Sequence, residues 1–303
     1  MKSNPLLTIY TPTYNREELL PRVYNSLKQQ TRKDFVWVII DDGSTDSTAE
    51  VVSEWQNECR YFEIQYVYKI NEGVHTARDL AYRICDTELI TTCDSDDWLA
   101  ENAVERIIDR WVNRNVEKCL GIIVPDYYET GKRVDSGMPK VDTVLWQDLY
   151  CKYNCIGDTH WIFNSKYIKR TQNAPVFPGE KLVGEMYKTL QLPYDVPILL
   201  CDEPLFFVEY QPTGYSANAY KYLFENPNGF RADYDQLIKN ARYIKWILKG
   251  YLGYIAASLF LEDKHYITDS NKPIITLLLT PAGWLALKYL ANRCKHQTKY
   301  ESK

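Results

Sequence analysis

Neither G-x-G-x-x-G nor G-x-x-x-x-G-K-[ST] occurs among the thirteen glycines of this 303-residue chain. Dinucleotide-dehydrogenase and P-loop readings therefore lose their phosphate-cradling loop. Basic excess is lacking too: 36 Lys and Arg stand against 40 Asp and Glu, giving a net charge of −4. Binding nucleic acid through its phosphates needs a basic surface, so no nucleic-acid partner is expected. Met1 to Pro5 is short and polar before the first apolar run, so no secretory leader is expected. Together with eight scattered cysteines, this points to a reducing cytoplasm. Cys151, Cys155 and His160 have no fourth partner at zinc-like spacing, which leaves buried thiols as the expectation. No internal repeat or low-complexity tract is visible.

What is present is an alternation of short apolar runs with helical patterns. Leu6 to Thr11 reads as a buried strand that stops at Thr11-Pro12-Thr13-Tyr14-Asn15. A helix follows, with Pro21 in its first turn and Leu20, Val23, Tyr24 and Leu27 on one face. Phe35 to Ile40 is a second strand, ending at Asp41-Asp42-Gly43-Ser44-Thr45-Asp46. Ser47 and Glu50 then form a capping-box pattern. Glu63 to Tyr68 and Leu89 to Cys93 are further strands, separated by a helix that opens after Asn71-Glu72-Gly73. A helix carrying Val104, Ile107, Ile108 and Trp111 precedes the apolar run Leu120 to Val124. This order predicts an α/β fold: a mostly parallel sheet with helices on both faces and a helical appendage at the end of the chain. In such sheets ligands gather outside the carboxyl ends of the strands, so the loops at 11–15, 41–46 and 94–97 should converge.

Within the last of these loops, Asp94-Ser95-Asp96-Asp97 places three carboxylates on a strand end. Hard oxygen ligands on a short loop suit a divalent cation held against a diphosphate; a solvated acidic turn is the plain alternative. TPTYN at 11–15, DDGSTDST at 41–48, NEGVHTAR at 71–78 and CDSDDWL at 93–99, in that order, resemble a family 2 glycosyltransferase of GT-A fold and bacterial surface-polysaccharide type. The resemblance implies a nucleotide-sugar donor, with UDP expected, and a divalent cation, Mn2+ or Mg2+. It implies Thr11 near the pyrimidine, Tyr14 stacked on it, Asp42 bonded to the base and Arg78 near the nucleotide. Asp94 and Ser95 fall on the donor, and Asp96 is the expected metal ligand. Asp97 is expected only to cap the next helix through Asn102.

Past residue 120 the motifs loosen. Tyr127 to Pro139 reads as a surface loop over the site. The stretches GDTHWIFNSKYI at 157–168 and PVFPGEKLVGEMY at 175–187 resemble the acceptor side of the same family, which there carries a Glu-Asp pair. Here that pair is incomplete at Glu185-Met186, so Glu185 is the expected general base. Asp158 is an acceptor-side candidate with an equally plain turn role. Glu180, beside Lys181, is either an acceptor-side acid or a structural ion pair.

Domain boundaries are expected at 1–229 for the catalytic domain, split into a nucleotide-sugar half (1–120) and an acceptor half (121–229), and at 230–303 for a helical region. The apolar stretch at 273–287 is shorter than the roughly 20 residues of a spanning helix. It suits either core packing or peripheral contact with the inner face of a cell membrane.

The sequence thus reads as an inverting glycosyltransferase that passes a sugar to a hydroxyl of a glycan or lipid-linked glycan. The rivals are a nucleotidyltransferase, which would want a Gly-rich basic loop after its first strand, and a degenerate nucleotide-sugar binder, which Met186 keeps open.

Overall fold

The structure is a computed structural model, and it describes residues 4–209, 214 and 218–301. Its contacts divide the chain into two compact units, Met1–Thr171 with Leu192–Glu209, and Gln172–Gln191 with Tyr210–Lys303. The expected boundary at 229 falls inside a helix of the second unit.

The first unit begins with β1 (Leu7–Thr13), α1 (Leu20–Gln29), β2 (Phe35–Asp41), α2 (Thr48–Glu58), β3 (Glu63–Tyr68), α3 (Val74–Ile84) and β4 (Leu89–Thr92). It continues through β5 (Trp98–Leu99), α4 (Ala103–Val112), β6 (Gly121–Tyr128), β7 (Thr143–Val144), α5 (Trp146–Cys151), β8 (Thr159–Asn164) and α6 (Ser165–Ile168). After a segment that belongs to the second unit, β9 (Ile198–Leu200) and β10 (Phe206–Val208) return to the sheet.

Strand order is β3-β2-β1-β4-β8-β6-β10-β5, with β9 on β6 and β7 on β9. The β3-β2-β1-β4 portion is parallel throughout. β8 then inserts antiparallel between β4 and β6, so the sheet is mixed, with parallel pairings still in the majority. β1 runs through Thr13, two residues past the expected stop, because Pro12 and Thr13 stay in register with Ile40 and Asp41. β6 likewise extends to Tyr128 and takes the first residues of the expected surface loop.

Period-two alternation assigns the helices to faces. Leu7 and Ile9 of β1 join a core with Leu20, Val23 and Leu27 of α1, Val52 of α2 and Ile107 of α4. Within it Tyr24 stacks on Trp55 at 4.5 Å and on Trp37 at 6.0 Å between ring centroids. Such ring pairs contribute about 0.5–1.5 kcal/mol each beyond the area they bury. Tyr10 points to the other face and meets Tyr82 of α3 edge-on.

Two helix starts differ from expectation. The capping box at Ser47 does not form; the Asp46 carboxylate accepts from the Thr48 amide and hydroxyl instead. Asn102 makes no side-chain cap for α4, where Gln30 Oε1 accepts the Val104 N–H at 3.0 Å.

The second unit is helical: α7 (Met186–Thr189), α8 (Ala219–Glu225), α9 (Pro227–Asn240), α10 (Ile244–Phe260) and α11 (Pro273–Glu301). Tyr254, Ile255 and Tyr266 form its core, with Tyr234, Ile238 and Leu279 packed against them. α11 has 29 residues, because the backbone stays helical well beyond Leu287. Its stretch Pro273–His296 is long and apolar enough to cross a membrane by length and composition, which corrects the expectation that it is too short.

Candidate active site

The carboxyl ends of β2, β1 and β4 lie side by side, so the loops that follow them meet. Side chains stitch the first two together. Ser44 Oγ accepts the Asn15 N–H at 2.9 Å, and Asn15 Oδ1 accepts the Thr45 N–H at 2.8 Å. The Glu17 N–H reaches Asp46 at 3.1 Å, and Glu17 itself accepts the Ser47 N–H at 2.7 Å. Asn15 sits at φ 53°, a left-handed turn that asparagine tolerates better than most residues. The third loop joins through β1, where the Cys93 N–H donates to the Tyr10 carbonyl at 2.8 Å.

Asp42 is buried and heavily used. It accepts from Lys69 Nζ at 2.6 Å, the Glu72 N–H at 3.1 Å and the Gly73 N–H at 2.8 Å. One lone-pair direction on Oδ2 remains, so Asp42 also fastens the 69–73 loop to the end of β2. Gly43 reinforces the join: at φ 87° a Cβ would lie 2.9 Å from the Asn71 nitrogen. Its neighbour Asp41 accepts from the Tyr66 hydroxyl at 2.5 Å and the Ser44 N–H at 2.7 Å. Burial and this bond push the Tyr66 hydroxyl well above the usual phenol range.

Thr11 is fully buried and its hydroxyl accepts the Trp37 indole N–H at 2.9 Å, so the side chain faces the core. Tyr14, 48% exposed, leaves its ring accessible. Arg78 lies half-buried on α3, the helix that opens after Gly73.

In the acidic loop Asp94, Asp96 and Asp97 are half-buried and Ser95 is buried. Asp94 Oδ1 accepts from the Thr92 hydroxyl at 3.2 Å. Arg22 of α1 donates to the Asp96 carbonyl at 2.8 Å and pairs with Glu209, whose N–H in turn reaches Asp97 Oδ1 at 3.3 Å. That contact, rather than a helix cap, is the place of Asp97. Burial first, and then the charges of Asp94, Asp96 and Asp126, push its carboxyl up to about 9. The loop thus concentrates more negative charge than it can hold ionised.

Asp126 is a residue the sequence pattern did not reveal. It is buried at the carboxyl end of β6, 3.3 Å from His160 Nδ1. His160 Nε2 lies 2.9 Å from the Thr92 carbonyl, and its ring stacks on Phe206 at 3.6 Å. Lys69, Arg22 and Glu209 were missed as well. Each is a lone charge at an element end, and only the folded chain supplies its partner. All eight cysteines are free, and burial pushes the Cys155 thiol up to about 11.

The acceptor-side candidates are divided. Asp158 is exposed in the loop before β8, in the first unit. Glu180 and Glu185 belong to the second. Glu180 is buried, and its carboxylate accepts the Asn228 N–H at 3.0 Å, Asn228 Nδ2 at 2.7 Å and the Gly229 N–H at 2.8 Å. The start of α9 therefore takes it up, because a helix N-terminus presents unpaired N–H groups and partial positive charge. Five residues on, Glu185 is exposed at the N-cap of α7 and makes no side-chain cap bond. Its backbone is held at Gly184, whose N–H donates to the buried Asp233 at 2.7 Å.

The sequence profile described as "Glycosyl transferase family 2" matches residues 8–172. The chain belongs to this family. It is similar to the chondroitin synthase of Escherichia coli, 32% identical over 138 residues that cover 42% of this chain and 20% of that one. The chain spans between 20% and 26% of the length of the first curated relatives it matches. Among solved structures it is similar to S. aureus TarS 1–349 in complex with UDP-GlcNAc (TM-score 0.60, 17% identity), covering 94% of this chain and 80% of that one. It is also similar to a mannosyltransferase from Pyrobaculum calidifontis in complex with GDP-Man and Mn2+ (TM-score 0.55, 16% identity), covering 98% and 85%. These likenesses bear out the expected GT-A-like fold.

Proposed function

We propose that this family 2 glycosyltransferase chain moves a sugar, with inversion, from a UDP-sugar to a hydroxyl of a glycan or lipid-linked glycan. The observation that carries the reading is the meeting of the 11–15, 41–46 and 94–97 loops at adjacent strand ends, the last bearing carboxylates that repel one another. The nucleotide-sugar complexes of the structural neighbours support the donor class. Eight free thiols suit a reducing compartment.

The donor set fits a cation shared with a diphosphate rather than caged by protein. Among the described residues no three His, Cys, Asp or Glu side chains are placed to hold an ion by themselves. A cation such as Mn2+ or Mg2+ bound through one or two carboxylates and phosphate oxygens needs no such cage. Asp96 is the residue we assign to hold it, and when bound it supplies charge neutralisation for the diphosphate leaving group.

The chain's own residues then divide the work. Tyr14 offers its accessible ring to the base, and Asp42 its remaining lone pair to a pyrimidine N–H. Arg78 faces the phosphates, while Asp94 and Ser95 receive ribose and sugar hydroxyls. Thr11 shapes the pocket through its backbone, since its hydroxyl is committed to Trp37. Asp158 contacts the acceptor. Glu185 takes the acceptor proton as the hydroxyl oxygen bonds to the anomeric carbon and the bond to the diphosphate breaks. One displacement inverts that carbon.

Met186, where the family's acid pair would be completed, favours a second reading, a binder without turnover. Nucleotide release from a panel of UDP-sugars, with and without Mn2+ and candidate acceptors, separates the two. Release stimulated by cation and acceptor supports the enzyme. Tight UDP binding by a well-folded protein that releases nothing with any donor supports the binder.

A further inference from the structure

The helix α11 turns its small and polar residues inward. Thr276 and Gly283 are buried and Thr280 and Ala286 half-buried, with Leu279 and Leu287 half-buried beside them. Gly283 lies so close to Ile255 of α10 that a Cβ would overlap it. Thr276 donates to Ser270 Oγ at 2.8 Å, and Thr280 Oγ1 lies 3.0 Å from the Tyr266 hydroxyl. The outward stripe is bulky and apolar: Ile274 is 75% exposed, Leu278 73%, Leu285 61%, Leu277 57% and Trp284 49%. A helix on the surface of a soluble domain places such residues the other way round. One exposed leucine needs no explanation, but a continuous apolar face does.

Charge indicates what covers that face. Lys272 precedes it, Lys288, Arg293 and Lys295 follow it, and no Asp or Glu occurs between Asp269 and Glu301. From residue 210 onward the chain carries thirteen Lys and Arg against seven Asp and Glu, in a protein whose net charge is −4. The start of α10 repeats the pattern, with exposed Ile244 and Leu248 beside exposed Lys245 and Lys249.

We propose that α11 lies on an anionic lipid surface, its Ile274–Leu285 face in the boundary between headgroups and acyl chains and its basic residues on lipid phosphates. A spanning placement is disfavoured even though the length permits it. The inward stripe is hydroxyl-bonded to Ser270 and Tyr266 and packed on α10 at Gly283, and crossing as a lone helix would strip those contacts. A second copy is disfavoured because two such faces in contact would crowd their basic flanks. The proposal stands independently of the donor reading.

The test is cosedimentation of the full chain with vesicles. Pelleting is expected with phosphatidylglycerol/phosphatidylcholine vesicles at low salt, with release at high salt and little pelleting with phosphatidylcholine alone. The double substitution Leu278→Glu and Leu285→Glu, at exposed positions, is expected to lower the bound-to-free ratio at least about tenfold at an unchanged thermal melt. Quenching of tryptophan fluorescence by brominated lipid should fall in Trp284→Phe. Absence of pelleting with anionic vesicles, or undiminished binding by the double variant, overturns the proposal. Retention through alkaline carbonate overturns it in favour of a spanning helix. A lipid-free dimer abolished by the same double variant overturns it in favour of a second copy.

Discussion

The two units hold their candidate chemistry in opposite ways. In the first, the loops at the ends of β1, β2 and β3 are fastened by carboxylates and amides that accept backbone N–H groups: Asp42 takes two, Asp46 two and Asn15 one. The sheet fixes where the loops begin, and the side chains fix where they go. In the second, no sheet is present among the described residues, and the segment bearing Glu185 is positioned by being pressed onto α9. Glu180 and Asp233 are buried there to secure the Gly229 and Gly184 amides. On the proposed function, the first unit keeps acids of the 94–97 loop for a ligand, whereas the second commits Glu180 and Asp233 to its own backbone. Of two glutamates five residues apart, the buried one is structural and the exposed one is the proposed base.

Substitutions sharpen that contrast. The largest effect is expected at Glu185: Glu185→Gln should slow sugar transfer about a hundred- to ten-thousand-fold, the usual cost of removing a general base, with UDP binding unchanged. Transfer rates beside calorimetry check this, and near-normal transfer by a folded variant would remove Glu185 from the mechanism. Next comes Gly229→Ala, whose Cβ would overlap the Leu182 carbonyl. Backbone must shift to relieve it, so a loss of about 1–3 kcal/mol is expected in denaturant unfolding, together with weakened transfer. An unchanged midpoint would show that the 180–185 segment is not braced there. The smallest effect is expected for Glu180→Ala, about 1 kcal/mol for a lost helix cap, with donor hydrolysis retained. Equal loss of transfer in Glu180→Ala and Glu185→Gln at equal stability would contradict the division of roles.

Much of the first unit was legible in the sequence because its signals are local. Apolar runs such as Phe35–Ile40 end on Asp-Gly or Asp-Ser loops, and strand adjacency then brings those loops together. What was not legible depends on distant partners. Asp97 reads as a helix cap until Glu209, 112 residues on, donates to it. Glu180 reads as a neighbour of Lys181 until α9, about fifty residues on, offers its first turn. Ser47 fits a capping box, yet its side chain makes no cap bond and the charged Asp46 carboxylate takes the Thr48 amide and hydroxyl. The reach of α11 was missed because hydropathy falls off after Leu287 while the backbone stays helical.

On the proposed function, the acidic loop after β4 binds a nucleoside diphosphate together with a cation held by Asp96. Calorimetric titration of UDP, with and without Mn2+, into the native chain and Asp96→Asn tests it most directly. Mn2+ is expected to strengthen UDP binding to the native protein, and in Asp96→Asn this enhancement should fall by at least about tenfold, the scale on which changes around a metal site act. Equal UDP affinity with and without Mn2+ in the native chain, or full enhancement in a well-folded Asp96→Asn protein, would contradict it.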